Sequence, residues 1–567
     1  MKTIYLLTLF LVVAGLRNHV NSQNLNWAIQ MGGADNDIGK SVVVDGAGNV
    51  YTTGSFDGTA DFDPGPGTYN LTTAGVGDIF ISKLDASGNF LWAKQIGGTT
   101  YDYGYSIAVD SVGNVYTTGY FDDTADFDPG PGTYNLTTAG SADIFVSKLD
   151  NSGNFIWAKQ MGATQADFGY AITVDVNGYV YTTGEFNGTV NFDPGPGIFN
   201  LISTYPEIFI SKLDASGDFV WAKQLGGTGE DKGYSIAVDE SGNVYSTGYF
   251  KDTADFDPGT GIYNLIAGGL AIIYSDIYIS KLDASGNFVW AKQMGGTNND
   301  RGNCITLDAL GNIYLTGTFS DTCDFDPGPS IYNLISAGFL DVFISKLDTA
   351  GNFLWAKQTG STSSDEGYSV AVTPNGNVYT TGGFFGTADF DPGVGIYNLT
   401  SSGSSDMFVS ILNGSGDFLS AFHIGGIASD YGFSMVADET GSIYITGQFQ
   451  DVADFDPGPG VFNMSAFGSS IESFVMKLSD VPTWITENNP SFNAMNIYPS
   501  PGNGQVNIVN DEVIREIKIT NRLGQIVYQA KPNANSLSLQ LDVNGIYFIL
   551  ITGYQGSIVK KIIICKQ

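Results

Sequence analysis

Carboxylates spaced two apart recur along this chain inside one phrase. They are Asp61 and Asp63, Asp126 and Asp128, Asn191 and Asp193, Asp255 and Asp257, Asp324 and Asp326, Asp389 and Asp391, and Asp454 and Asp456. Each pair sits in a version of "TADFDPGPGTYNL". In an extended segment residues i and i+2 point the same way, so each pair could share a cation. Calcium takes six to eight oxygens, and a Pro-Gly turn could add carbonyls. No Glu closes a twelve-residue loop, so an EF-hand is not indicated. The competing account needs no ion, because Asp ahead of Pro-Gly orders a turn by hydrogen bonds to its own backbone. The turn is the simpler reading, and calcium is the one cofactor the sequence leaves open. A second series, Asp37, Asp102, Asp167, Asp231, Asp300, Asp365 and Asp430, stands before an apolar run in an Asp-x-Gly context.

Other chemistry has few residues to work with. Beyond residue 22 there is one histidine, His423, which argues against imidazole triads and multi-histidine zinc sites. Its place in "SAFHIGG" reads as a rim position. Three cysteines make no framework, although Cys304 and Cys323 fall in one repeat and a single disulfide is open to them. Paired carboxylates could hydrolyse a glycoside. An active site normally breaks repeat symmetry, however, and these pairs agree closely in all seven copies. Recurring aromatics such as Tyr103, Tyr105, Tyr116 and Tyr120 read as packing between repeats.

The phrase belongs to a longer unit. Repeats open at Trp27, Trp92, Trp157, Trp221, Trp290 and Trp355, with Ser420 in that place in the seventh, at spacings of 64 to 69 residues. Each unit holds four alternating runs; in the second these are "YSIAVD", "VYTTGYF", "DIFVSKLD" and "FIWAKQ". Val, Ile, Tyr and Phe without a 3.6 period argue strand. Turns such as "SVGN" and "NSGN" put Gly and Asn where positive φ is needed. The first run is rich in small residues and the last carries Phe and Trp, which suits a wedge in a radial array.

Four strands seven times predict an all-β fold, a seven-bladed β-propeller over residues 23–480. Its seventh copy ends without an outer strand, and the orphan run Asn26–Met31 would supply one. Strand alternation puts the "SVGN" and "NSGN" turns on one face and the "DFDPGPG" insertions on the other, which becomes the decorated, binding face. The "SIAVD…GNVYTTG" and "DIFISKLDASGNFLWAKQ" blocks resemble the SBBP family of β-propeller repeats, which implies fold more than function.

Both ends differ from the array. "MKTIYLLTLFLVVAGL" has a basic start and a short apolar run, so residues 1–22 read as a signal peptide. No later run is long enough to span a membrane. Residues 481–494 read as a linker, and 495–567 as a small antiparallel β-sandwich. That tail resembles the C-terminal sorting domain of type IX secretion substrates. The matching pieces are Tyr498-Pro499 with Pro501, Leu523-Gly524-Gln525, Gly545-Ile546-Tyr547 and the basic-apolar end Lys560–Ile564; Ser500 stands where the family more often has Asn. The resemblance implies export to the periplasm, a partner in the type IX machinery, and delivery to the cell surface or beyond.

Net charge is −34, and residues 23–480 hold 15 basic against 53 acidic groups. Such a surface repels phosphate backbones, which argues against nucleic acid as partner. The expected function is therefore a secreted or surface propeller that binds or adheres to glycan or protein and is not an enzyme. An extracellular carbohydrate-active enzyme is the second reading, and a passive structural protein the third.

Overall fold

The computed structural model describes residues 23–269, 273–480, 496–498, 505–521, 526–541, 545–552 and 557–564. Two compact units emerge, Gln23–Ser479 and another holding Asp480–Gln567. The expected signal peptide and linker lie outside the described residues.

The first unit is built from strands throughout. In the second repeat Tyr103–Val109, Val115–Phe121, Asp143–Leu149 and Phe155–Met161 follow one another across an antiparallel sheet. The second and third strands are buried along almost their whole length, whereas the first and fourth alternate. The middle strands are thus covered on both faces, which is why they read as continuous apolar runs. The set recurs along the chain, for example as Asp37–Val44, Val50–Asp61, Asn70–Leu84 and Phe90–Gly98.

Turn chemistry follows one rule with one correction. Gly113 and Gly153 take positive φ (88° and 76°), but the asparagines beside them do not. Asn114 instead donates its amide to Asp110 Oδ2 at 2.7 Å, while Asp110 Oδ1 accepts from the Val112 and Asn114 backbone. The turn is an aspartate cap, and the asparagine serves as its clasp.

Neighbouring repeats meet at their first strands. Ile107 N donates to Ser41 Oγ at 3.3 Å and Ile172 N to Ser106 Oγ at 3.2 Å. The same bond joins the ends of the array, where Val42 N donates to Ser434 Oγ at 3.2 Å. At the outside, Trp92 Nε1 donates to the Asn151 carbonyl in the next repeat's turn at 3.1 Å. The N-terminal strand Gln23–Gly33 lies beside Ile471–Asp480 in its sheet, and Ser473 Oγ donates to the Met31 carbonyl at 2.6 Å.

The insertions are more than connections. Thr124–Asp126 and Asn135–Thr137 pair as a hairpin, and the first of these also pairs with the end of the preceding repeat's outer strand, Gly97 with Asp126 and Gly98 with Ala125. A Cβ on Gly98 would sit 2.1 Å from the Thr124 carbonyl oxygen, so the approach needs glycine. Phe127 anchors the hairpin by packing on Phe121 and Phe145, at ring centroid distances of 5.3 and 5.2 Å. The same aromatic trio recurs as Phe56, Phe62 and Phe80.

In the C-terminal unit, Asn496–Tyr498, Gln505–Ile514 and Ala534–Gln540 form one antiparallel sheet. Ile526–Ala530, Glu516–Asn521, Gly545–Thr552 and Ser557–Ile564 form a second. Val506, Ile508, Ile517, Ile519, Ile549 and Ile551 share one core between them. The turns expected at "NRLG" and "GYQG" fall largely outside the described residues, as does Cys565.

Candidate functional site

The insertion carboxylates are occupied by their own turn. Asp61 Oδ1 accepts from the Asp63 and Tyr69 backbone at 3.0 and 2.8 Å, and Asp63 Oδ1 from Gly65 N at 2.8 Å. The first residue of every later pair repeats the double bond of Asp61. Asp126, Asp255, Asp324, Asp389 and Asp454 do so through a carboxylate oxygen, and Asn191 through its amide oxygen. The second residue of each pair holds the glycine two places on, as Asp63 does. Asp128 Oδ1 accepts from Gly130 N at 2.8 Å, Asp193 Oδ1 from Gly195 N at 2.9 Å, and Asp257 Oδ1 from Gly259 N at 2.9 Å. Asp326 Oδ1 accepts from Gly328 N at 2.8 Å, Asp391 Oδ1 from Gly393 N at 2.8 Å, and Asp456 Oδ1 from Gly458 N at 2.7 Å.

The hydrogen bonds at each pair are those of the turn reading. Asp63, Asp128, Asp193, Asp257, Asp326, Asp391 and Asp456 spend one oxygen on the turn, and so do their partners. That leaves at most two side-chain oxygens in a pair without a turn bond, so calcium would have to draw the rest of its six to eight ligands from backbone carbonyls and water. Among the described residues no three His, Cys, Asp or Glu side chains gather as a metal group. Asp126 and Asp128 instead line a cleft of about 310 Å³ with Tyr69, Lys94, Gln95 and Pro129. The spacing of two has a simple cause: the phenylalanine between the aspartates points into the core, so they face the turn.

All seven aspartates of the Asp-x-Gly series are buried. Asp102 Oδ2 accepts from Gly98 N at 2.7 Å and Oδ1 from Asp122 N at 3.2 Å, which ties the link to the start of the insertion. Beside each lies a second buried acid absent from the sequence reading. The neighbours are Asp37 with Glu472, Asp102 with Asp78, Asp167 with Asp143, Asp231 with Glu207, Asp300 with Asp276, Asp365 with Asp341, and Asp430 with Asp406. Their signal was present in the sequence, as an acid opening the third strand in "GDIF", "ADIF", "PEIF" and "SDIY".

Asp78 Oδ2 accepts from Ala74 N at 2.9 Å and Gln95 Nε2 at 2.6 Å, while its buried Oδ1 has no donor. A Cβ on Gly97 would lie 2.5 Å from Asp78 Cγ and 3.0 Å from Asp102 Oδ2. The glycine is there to let the carboxyls converge. Burial pushes Asp102 up to about 7 against the pull of its two amides, and the Asp78 charge adds to the rise. Burial likewise lifts Asp37 to about 8, with Glu472 contributing, and Asp143 to about 6. A proton held on one member would answer the orphaned oxygen where a pair has one, as at Asp78. Both members of each pair are buried.

His423 takes the glutamine's place in one such site, its Nε2 3.7 Å from Asp406 Oδ2, and is half-buried rather than a free rim residue. Cys304 and Cys323 are both free thiols, so the disulfide open to them is not formed. Cys304 stands in the serine position of a first strand, 3.9 Å from Ser369 Oγ, whereas Cys323 is buried in an insertion hairpin. The aromatics divide. Tyr116 is fully buried and caps the turn aspartate Asp110 at 3.1 Å. Tyr103, Tyr105 and Tyr120 form a partly exposed stack, Tyr103 lying 5.2 Å from Tyr120. This stack breaks the repeat symmetry.

Comparison with known proteins agrees with this architecture. A model described as a beta-propeller repeat matches residues 26–62, 91–120, 156–190, 220–249, 289–318 and 354–382. A model described as a secretion system C-terminal sorting domain matches 496–565. A sperm-tail PG-rich repeat model matches 128–160, which begins in one insertion. An uncharacterized WD repeat-containing protein of Acanthamoeba polyphaga mimivirus is 25% identical over 442 residues, 63% of this chain and 31% of that protein. The regulatory protein FlaEY of Caulobacter vibrioides is 27% identical over 166 residues, 28% of this chain and 17% of its own length. The chain thus spans under a third of the curated relatives it matches. Among solved structures, Sqt1 from Chaetomium thermophilum overlays 81% of the chain and all of its own at 11% identity and a TM-score of 0.38. PorZ, a surface component of the type-IX secretion system of Porphyromonas gingivalis, overlays 95% of the chain and all of its own at 10% identity and a TM-score of 0.20. Overlays this loose say nothing about function. Among the described residues no helix is long and apolar enough to cross a membrane. The chain thus carries six matches to a beta-propeller repeat and, over residues 496–565, a match to a secretion system C-terminal sorting domain.

Proposed function

We propose that the repeats close as a seven-bladed propeller that is delivered to the cell surface by type IX secretion and acts there as a non-catalytic binding module for glycan or protein. Closure is supported by the first strands, which touch in order around the array and return from Tyr431–Ala437 to Asp37–Val44. The sorting domain at 496–565 carries the delivery reading. The binding reading draws on the insertion face, where hairpins rather than loops present a fixed surface. Deleting residues 495–567 is expected to leave the protein folded but retained inside the outer membrane of its native host. Surface labelling of the truncated protein at the level of the intact one would remove the delivery reading.

We propose further that the insertions are turns and not calcium sites. Two carboxylates left unscreened in six of the seven would make melting calcium-dependent if they held the ion. One site at a hundred times its dissociation constant adds about 2.7 kcal/mol. Melting in chelator and in millimolar calcium is expected to coincide. A rise of several degrees with calcium and not magnesium would assign the ion to these pairs.

A further inference from the structure

Eleven of the fifteen basic residues between 23 and 480 occupy two repeated positions, the lysines of the "WAKQ" and "SKL" phrases, the latter "MKL" in the last copy. The other four are Lys40, Lys232, Lys251 and Arg301. Lys40, Lys232 and Arg301 lie on first strands, and Lys251 ends the second strand paired with Lys232's. Lys40 packs on Phe433 between the first and last repeats, whereas Lys232, Lys251 and Arg301 gather around Glu230 and Tyr249 in neighbouring repeats.

The residue that follows the buried inner aspartate opens each first strand at the same level. In four consecutive repeats it is Tyr103, Phe168, Lys232 and Arg301: two aromatics, then two cations. Successive first strands touch, so these side chains share one rim. Its aromatic half is stacked. Tyr101, half-exposed, lies 6.3 Å from Tyr103 at an interplanar angle of 22°, and Phe168 lies 6.0 Å from Tyr170 at 12°. The halves are joined through Glu185, which accepts from Tyr170 Oη at 2.6 Å and pairs with Lys232 at 3.0 Å.

The cationic half is nearly neutralised, except at one point. Glu230 takes both Lys232, at 3.2 Å, and Lys251, at 2.7 Å. Arg301 is exposed, its guanidinium 5.6 Å from the centre of the Tyr249 ring, and no carboxylate among the described residues ion-pairs with it. A planar cation steadied on an aromatic face with its donors free is suited to a carboxylate.

We infer that this rim binds an acidic oligosaccharide, with ring faces on the Tyr101–Tyr103 and Phe168 side and one uronate carboxylate on Arg301. The inference rests on the binding-module reading and names its ligand class. One uncompensated cation suits a single anion rather than a polyanion, and the surrounding negative charge repels phosphate backbones. An acidic peptide added as a strand would need a free sheet edge. On these first strands, amides such as Ile107 N and Ile305 N already donate to the neighbour's serine, at 3.3 and 3.2 Å. A sugar needs no edge, because its C–H faces stack on tyrosine.

The test is calorimetric titration of the intact secreted chain with oligomers of galacturonate, glucuronate and mannuronate. Carboxyl-reduced and sulfated oligomers and a poly-glutamate peptide complete the panel. Arg301→Gln is expected to keep the wild-type melting temperature, because the side chain is exposed, and to weaken uronate binding at least tenfold, the loss typical of a charge-assisted hydrogen bond. Carboxyl reduction should weaken the wild-type protein equally and the variant no further. Lys292→Gln, at a repeated position, should bind as the wild type does. Equal uronate affinity for wild type and folded Arg301→Gln overturns the site while leaving the binding reading standing. Preference for sulfated oligomers or for the peptide overturns the ligand class. Binding of no probe at all removes the inference; if host-surface extracts are also not retained, the binding reading falls with it.

Discussion

Removing residues 23–33 is expected to lower the melting temperature by about 5 °C or more, or to leave the chain insoluble. The strand contributes at both edges. On one side it lies against Ile471–Asp480, and on the other Gly32 and Gly33 pair with Asp61 and Ala60 of the first insertion. Ala28 and Met31 are buried, and Trp27 Nε1 donates to the Ala86 carbonyl at 3.3 Å. Burying Met31 stabilises by about 1.5–3 kcal/mol, and partial cover of Trp27 and the backbone bonds of two strand pairings add to that. The loss then approaches the 5–15 kcal/mol by which domains are normally stable. It also bares two sheet edges, which invites association between chains. A synthetic Gln23–Gly33 peptide added in trans should recover part of the loss, which separates a vacated strand site from general damage. An unchanged melting curve would show that the last sheet is complete without this strand.

The second large effect is on pH. Stability is expected to be greatest near pH 5 and to fall by about 10 °C in melting temperature by pH 8. The buried acid pairs set the sign. Asp102, Asp167 and Asp231 are pushed up to about 7 by burial, against about 4 for an unfolded aspartate. Between those values the folded chain holds protons that the unfolded chain has released, so folding is favoured on the acid side and loses ground as pH rises. A rise of about three pH units corresponds to ~4 kcal/mol per pair as an upper bound. For a fold of this size 1 kcal/mol shifts melting by roughly 1 °C.

Other groups facing the pairs act on the same balance. Asp122 and Asp57 add negative charge near Asp102 and Asp37, which steepens the fall. His423 beside Asp406 opposes it in one site. The turn aspartates Asp45, Asp239, Asp308 and Asp438 are held low because their asparagine, threonine and backbone donors outweigh burial. Their contribution is present above about pH 4 and lost below it, which closes the optimum on the acid side. Lys40, lowered to about 8 by burial, acts only above the window. Asp78→Asn should flatten the profile and raise stability at pH 8, since an amide can donate to Asp102 without a shared proton. A melting temperature as high at pH 8 as at pH 5 would mean that the pairs are not protonated.

Strand content was legible because its causes are local. Val, Ile, Tyr and Phe alternate between Gly-marked turns, and a period near 65 residues repeats the message until noise averages out. The expected neighbour of the N-terminal run was also readable, since a missing outer strand at one end matches a spare one at the other. Side-chain roles were harder, because a repeat fixes which residue recurs and not which way it faces. Asp102's role could not be read until the Gly97 gap and Asp78 came together, from segments 24 residues apart in sequence. The insertion aspartates were readable as turn formers, bonded to their own backbone, though not which backbone amides each would take. The hairpin's bond to the preceding repeat was hidden, since its partner is a Gly-Gly step with no side chains to signal pairing. The rim at Arg301 escaped notice for the opposite reason. The eye follows what recurs, and this site is made of what does not.

The insertion hairpins also bear on how long such a protein would survive outside a cell. An extracellular chain lives among proteases, which seize segments that can be drawn out into their clefts, and loop tips are where nicking concentrates. Each repeat here carries a stretch of that kind, rich in glycine and lying on the surface. Its backbone, though, is clasped by Asp61 and Asp63 and their counterparts and held against the preceding repeat through the glycine step. Prolines such as Pro64 and Pro66 add rigidity at the tip. To cut there, an enzyme would first have to pull a strand out of a sheet. Durability in a hostile medium would then be written seven times into the same short phrase.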